Sequence, residues 1–206
     1  MYTNNPYALG GWHNPANPDT INPQRSNDAQ PSLFGALPYP YPDANKPAQH
    51  LLFHFTYSNA SILNCTIYGP SSRKYIDIVT NLNKLPHVTV FNRFDGEELA
   101  VIEWHQKPIV KITGVLPQQY IANWIPISQN QSFRTMDSKG LRYIWSPVGD
   151  AIHLHQYHLP PSQEVLKIQR QAGTVTLDIT TEAIQAGLLE LAIVATVVLQ
   201  SGRNVD

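Results

Sequence analysis

From residue 51 onward, apolar and polar residues alternate in short runs broken by turn residues, the two-residue period of half-buried strands. Runs fall at 51–57, 60–67, 74–80, 88–94, 99–104 and 109–113. Asp95-Gly96 marks a hairpin turn between the fourth and fifth, where glycine supplies positive φ. A proline-interrupted stretch follows, then runs at 132–135, 141–145, 151–157, 165–169 and 174–179, with Ser138-Lys139-Gly140 as the turn before residue 141. Strands of this length with turn signals throughout predict an antiparallel sandwich or barrel.

The period changes at the C-terminus. Thr181 is the expected N-cap, Glu182 lies in the first turn at the positive end of the dipole, and one helix is predicted over 182–200, stopping at Ser201-Gly202. Ile184, Leu188, Leu191, Ala192 and Ala195 form one face, and Leu189, Ile193, Val194 and Val197 make the opposite face apolar too. A helix apolar nearly all round must be surrounded by protein. After so many strands, that predicts a closed antiparallel barrel with the helix threaded through it.

Residues 1–50 have a different texture. They hold nine of the 17 prolines, and Pro38-Tyr39-Pro40-Tyr41-Pro42 favours polyproline II because each proline fixes φ. With few aliphatic residues, this segment reads as an extended or disordered arm. Residues 51–206 then form the folded domain.

Composition narrows the function. The chain carries 14 Lys+Arg against 15 Asp+Glu, a formal charge of -1, and only 14% charged residues. An ordinary soluble domain has about 25%. That balance argues against a nucleic-acid wrapper or a polybasic membrane binder, both of which work by neutralising phosphates. Cys65, the single cysteine, cannot form an internal disulfide. The N-terminus shows no signal-peptide pattern or myristoylation glycine, so a cytoplasmic protein is expected. The apolar stretch near the C-terminus is interrupted by Glu190 and falls short of the ~20 residues a spanning helix needs, so no transmembrane span is expected.

Several blocks carry a resemblance: Asn64-Cys65-Thr66-Ile67, Tyr75-Ile76-Asp77-Ile78-Val79-Thr80, Thr89-Val90-Phe91-Asn92-Arg93, Gly96-Glu97-Glu98-Leu99-Ala100-Val101-Ile102-Glu103-Trp104, Ile112-Thr113-Gly114, residues 134–145, and the closing apolar helix ending at Arg203. In their order and spacing, residues 51–203 resemble a domain of unknown function widespread in mushroom-forming (basidiomycete) fungi. That family is similar to the tubby C-terminal and scramblase-like superfold. The resemblance implies a mainly β domain, a closed barrel of about twelve strands around a central hydrophobic C-terminal helix. Scramblase-like members also carry proline-rich N-terminal arms.

Three constellations carry candidate chemistry. Glu103 lies beside Trp104 at the end of an apolar run; it supplies a carboxylate, or pairs structurally with Arg93 or Arg134 while Trp104 fills the barrel mouth. In the block Arg134, Arg142, Tyr143 and Trp145, the alternation sets Arg142 and Ile144 on one strand face and Tyr143 and Trp145 on the other. Trp104, Tyr143 and Trp145 are candidate ligand-binding aromatics, since they can stack a planar ring. Third, His153 and His155 alternate on one face and are two candidate zinc ligands, with a further ligand needed from His50, His54, His87 or Asp150.

These residues support more than one function. The leading reading is a non-catalytic binding or interaction module for an unknown protein or small ligand. The alternative is a ribosome-directed toxin enzyme, an rRNA N-glycosylase removing adenine or a ribonuclease. In that reading Glu103 faces the oxocarbenium-like sugar, Arg134 or Arg142 stabilises the departing purine, and Tyr143 clamps the base. Against it, the Glu-Ala-x-Arg helix signature of plant ribosome-inactivating enzymes is missing; Glu182-Ala183-Ile184-Gln185 has glutamine in place of arginine. A phospholipid-surface or scramblase-like role is third, though basic residues are scattered. No cofactor motif appears, apart from the histidine pair as a candidate zinc site.

Overall fold

Alternation along the strands translates directly into a one-sided sheet. The computed structural model describes residues 49–57, 61–83, 85–158 and 164–206. The expected arm lies outside the described residues except for Gln49 and His50, and His50 already belongs to the first strand. Twelve strands are present among the described residues: β1 (His50–Thr56), β2 (Cys65–Tyr68), β3 (Lys74–Asn81), β4 (His87–Arg93), β5 (Glu98–Trp104), β6 (Ile109–Ile112), β7 (Leu116–Tyr120), β8 (Arg134–Ser138), β9 (Leu141–Val148), β10 (Ala151–Gln156), β11 (Glu164–Gln171) and β12 (Thr174–Thr180). The helices are α1 (Ile121–Trp124), α2 (Thr181–Gln185) and α3 (Leu189–Gln200).

All twelve strands join one antiparallel sheet in the order β7-β6-β5-β4-β3-β2-β1-β12-β11-β10-β9-β8. Hairpins make every pairing except β1 with β12, which links the two halves from Thr56↔Thr174 to His50↔Thr180. The core face is built from alternating positions such as Phe53 and Phe55, Ile76 and Ile78, Ile102 and Trp104, Tyr143 and Trp145, and Leu166 and Ile168, all buried.

The sheet is not closed into a barrel, which corrects the expectation. Its end strands, β7 and β8, share no ladder. β7 reads Leu-Pro-Gln-Gln-Tyr, and Pro117 has no N–H to offer a further strand. The chain turns into α1 at Ile121, whose N–H donates to the Pro108 carbonyl at 2.9 Å. Ile121, Trp124 and Ile125 then bury themselves beside the sheet. Only Ile127 makes an isolated bridge to Arg134, and Thr135 N–H donates to the Pro126 carbonyl at 3.0 Å. A seam therefore separates β7 from β8, spanned by α1 and the following loop.

The C-terminal helix is present but divided. Thr180, not Thr181, is the N-cap, its Oγ1 accepting from Ala183 N–H at 3.2 Å. The expected continuous helix over 182–200 breaks at Gly187, which sits at φ +82°. Lys139 Nζ donates to the Ala186 carbonyl at 2.7 Å, holding the orphaned end of α2. A Cβ on Gly187 would lie 2.5 Å from that ammonium, the mobile end of a long side chain, so it is chiefly the left-handed backbone that calls for glycine. α3 is then buried continuously from Leu191 to Val198. Thr196 is tolerated there because its hydroxyl donates to the Ala192 carbonyl at 2.7 Å. No described helix is long and apolar enough to cross a membrane.

Two further boundaries moved. β7 falls in the proline-interrupted stretch where no strand was expected. β2 begins at Cys65 rather than residue 60, because Asn64 N–H donates to the Ser61 carbonyl at 3.2 Å in a turn, and Asn64 Oδ1 accepts from Thr80 N–H at 2.8 Å.

Candidate functional site

The four residues of the enzymatic reading do not converge. Glu103 faces outward on β5, and its Oε2 lies 2.9 Å from His105 Nε2. It lines a shallow outer cavity of about 200 Å³ with Val101, Ile109 and Lys111. It pairs with neither Arg93 nor Arg134, as had been one expectation. Arg93 instead lies 3.6 Å from Glu190 at the start of α3.

Arg142 faces outward on β9 and forks onto Asp137, with Nε to Oδ1 at 2.8 Å and Nη2 to Oδ2 at 3.0 Å. That bond holds the Asp137 carboxyl below its ordinary value. Tyr143, next along the strand, faces the opposite way and is buried, and burial pushes its phenol up. The alternation expected for residues 142–145 is what the strand shows: Tyr143 and Trp145 are buried, Arg142 and Ile144 are not.

Trp104 is committed to internal contacts. Its indole N–H donates to Thr89 Oγ1 at 2.7 Å, and the Arg203 guanidinium sits 4.7 Å from its ring centroid. Burial in turn lowers the Arg203 pKa. With one face already covered by this chain's own cation, Trp104 is not an open stacking platform.

His153 and His155 share the outward face of β10, opposite Ser146 and Ile144 of β9. Their acidic neighbour is Glu164, whose Oε2 contacts His153 Nδ1. Glu164 escaped the sequence reading because the run was started one residue late. Of the proposed third ligands, His50 pairs with Asp178 at 2.8 Å, and Asp150 accepts from Gln169 at 3.5 Å. Among the described residues, no group of three or more His, Cys, Asp or Glu side chains is arranged to hold a metal ion.

Two sequence-singled residues do come together, at the seam. Arg134 and Trp145 are cross-strand partners on β8 and β9. Arg134 Nη1 donates to the Ile125 carbonyl at 3.0 Å and to Asp206 Oδ1 at 2.9 Å, while Nη2 donates to Asp206 Oδ2 at 2.6 Å. This bidentate pair lowers the Asp206 pKa. Next to it lies a cavity of about 170 Å³ lined by Phe133, Arg134, Trp145, Ile152 and Leu199, among others.

One wall of this cavity is a loop braced from within. Ser128 N–H donates to the Phe133 carbonyl at 2.8 Å, and Ser128 Oγ accepts from Phe133 N–H at 3.2 Å. Asn130 Oδ1 accepts from the hydroxyls of Ser128 and Ser132, both at 2.7 Å. Gln131, at the tip, is held at φ +56°. Trp145 is 2% exposed, yet its Nε1–H has no hydrogen-bond partner among the described residues. Phe133, Ile152 and Leu199 were missed as site residues because each reads as ordinary core. No local pattern in the sequence marks them.

No family model matches the chain, and no curated protein does. Among solved structures, the chain is similar to the X-ray structure of a protein from Arabidopsis thaliana, with 11% sequence identity and a TM-score of 0.36. That match covers 72% of this chain and 92% of the other.

Proposed function

We propose that this chain is a non-catalytic binding module of a tubby-like fungal family, acting in the cytoplasm. The carrying observation is dispersal. Glu103 and Arg142 face outward on β5 and β9, Tyr143 is buried on the face opposite Arg142, and Glu103, Arg142 and Arg134 each have a local partner. An oxocarbenium-stabilising carboxylate, a cation at the leaving base and an aromatic clamp must meet around one substrate within a few ångströms. These residues do not.

The tubby-like assignment draws support from twelve antiparallel strands followed by a buried C-terminal helix. Function does not follow from that architecture, because activity lives in sites. The module reading rests on the absence of an assembled reaction centre among the described residues, together with a preformed cavity at the seam.

Adenine release from intact ribosomes tests the reading. Wild-type protein is expected to release no more adenine than buffer. Release above that level, abolished by Glu103→Gln, would overturn it in favour of the N-glycosylase.

A further inference from the structure

The outer face of the sheet differs between its two halves. An antiparallel sheet with one solvated face ordinarily sets polar residues outward. The middle of β11 and β12 obeys this, with Lys167 opposite Asp178 and Gln169 opposite Thr176. Across β3, β4 and β5 the outward row is instead Val79, Val90 and Val101, paired in register. Val88 on β4 and Ile109 on β6 widen it, and Val79 is 54% exposed. Leu82 and Leu85, in the loop joining β3 to β4, are exposed too. A cluster of outward apolar side chains of this kind marks a contact surface.

Its polar neighbours decide what the contact fits. Val79, Val88 and Val90 share a shallow depression with Asn81 and Asn92 and no charged side chain. A carboxamide carries both donor and acceptor, so it can answer a second carboxamide. Lys111 lies opposite Val101, and Glu98 lines the same neighbouring depression. Neither charge has an ion-pair partner among the described residues. An apolar centre, two amides and one unmatched charge of each sign make a surface complementary to itself. A two-fold axis lying in the interface near Val90 and Val101 exchanges the places of Glu98 and Lys111, so each lysine meets the other copy's glutamate. Strands ~4.8 Å apart, with outward residues every ~6.8 Å, give three rows on four strands a footprint on the order of 400 Å². Two copies then cover about 800 Å² before Leu82 and Leu85 are added, the range of a weak, reversible pair.

We propose that the outer face of β3–β6 is a self-association surface, on which a second copy of this chain packs through the same face as a reversible two-fold dimer. Val79, Val90 and Val101 of the two copies meet at its centre, and Glu98 and Lys111 of opposite copies pair beside them. This goes beyond the binding-module reading and stands independently of it: adenine release neither supports nor harms it.

Sedimentation velocity of the full-length protein over a concentration series tests it, together with methyl NMR. A monomer–dimer equilibrium is expected, with a dissociation constant on the order of 10 µM to 1 mM. On concentrating, the methyl signals of Val79, Val88, Val90 and Val101 should shift together, while those of Val148 and Val165 in the other half of the sheet stay in place. Val79→Lys, at an exposed position, should weaken association at least tenfold. Thr176→Lys, on the outer face of the other half, should leave it unchanged. Glu98→Lys and Lys111→Glu should each weaken association, and mixing the two variants should restore it, because the mixed dimer again pairs opposite charges at both contacts.

Protein that stays monomeric to ~1 mM overturns the proposal, whether a lipid surface or an unlike protein then covers the face. A dimer that survives Val79→Lys, or whose concentration-dependent shifts fall outside β3–β6, overturns it as well. A mixture of the two charge variants that associates no better than either alone overturns the two-fold pairing of Glu98 with Lys111.

Discussion

Arg134 and Asp206 meet fork to fork, at 2.9 and 2.6 Å, tying the end of the described chain to the first strand beyond the seam. Arg134 is otherwise well covered, its side chain 15% exposed against 43% for Asp206. The hydrogen bond from Arg134 holds the Asp206 carboxyl below its ordinary value, more than burial raises it. As pH falls, the unfolded chain therefore takes up this proton before the folded one does. The pair's stabilisation is complete above the unfolded value near pH ~4 and fades as pH drops through the lowered folded value. Asp206→Asn should cost about 0.5–1 kcal/mol at pH 7, discounted for the exposed carboxylate. It should also flatten the acid limb of stability below pH ~4. Urea midpoints across pH 2 to 7 check both, and parallel curves for wild type and variant would refute the link.

Inside the sheet, a chain of hydroxyls crosses three strands. Trp104 Nε1–H donates to Thr89 Oγ1 at 2.7 Å, the Thr89 and Thr80 hydroxyls lie 2.8 Å apart, and Thr80 donates to the Leu63 carbonyl at 2.5 Å. Since Thr80 spends its one proton on Leu63, Thr89 must donate to Thr80. Thr89→Val keeps the shape but strands the indole N–H, at a cost of about 1–3 kcal/mol. Adding Trp104→Phe removes the orphaned donor, so the double variant should lose less than the two single losses combined. A urea double-mutant cycle measures this, and strict additivity would argue against the relay.

Cys65 is predicted to be chemically silent. Burial, with a smaller contribution from Asp77, pushes its thiol up to about 12. At pH 7 to 8 almost no thiolate exists, and thiolate is the reactive form. Iodoacetamide should label the native protein only as fast as it opens, and label the urea-unfolded chain at the rate of a free thiol. Rapid native labelling at pH 7 would contradict both the burial and the shift.

Gly187→Ala should destabilise by about 1–2 kcal/mol, since an alanine at φ +82° is strained and its Cβ meets Lys139 Nζ. Adding Lys139→Ala relieves the steric part but not the backbone part, so some of the loss should remain. Thermal midpoints of the two variants separate the contributions.

Much of the architecture was legible. Period-two alternation located most strands, because a side chain on a pleated strand has only two directions to point. The all-round apolarity of residues 188–198 announced a helix enclosed by protein. Chain termination inside that helix was less visible, because Gly187 becomes a break only with its positive φ and Lys139 arriving from the β8–β9 turn. β7 was missed because Leu-Pro-Gln-Gln-Tyr has neither alternation nor β-branched residues, and β6 alone recruits it into the sheet.

The candidate site divides in the same way. The sequence by itself determined a one-sided antiparallel sheet, an enclosed C-terminal helix, and opposite faces for Arg142 and Tyr143, because these depend on local periodicity. Only the tertiary structure decided that the sheet stays open between β7 and β8. It alone gave Arg134 to Asp206 and Trp104 to Thr89, and set Trp145 beside Leu199 at the seam. Those pairings join residues up to 72 positions apart, where no period reaches, and depend on how twelve strands curve around one helix.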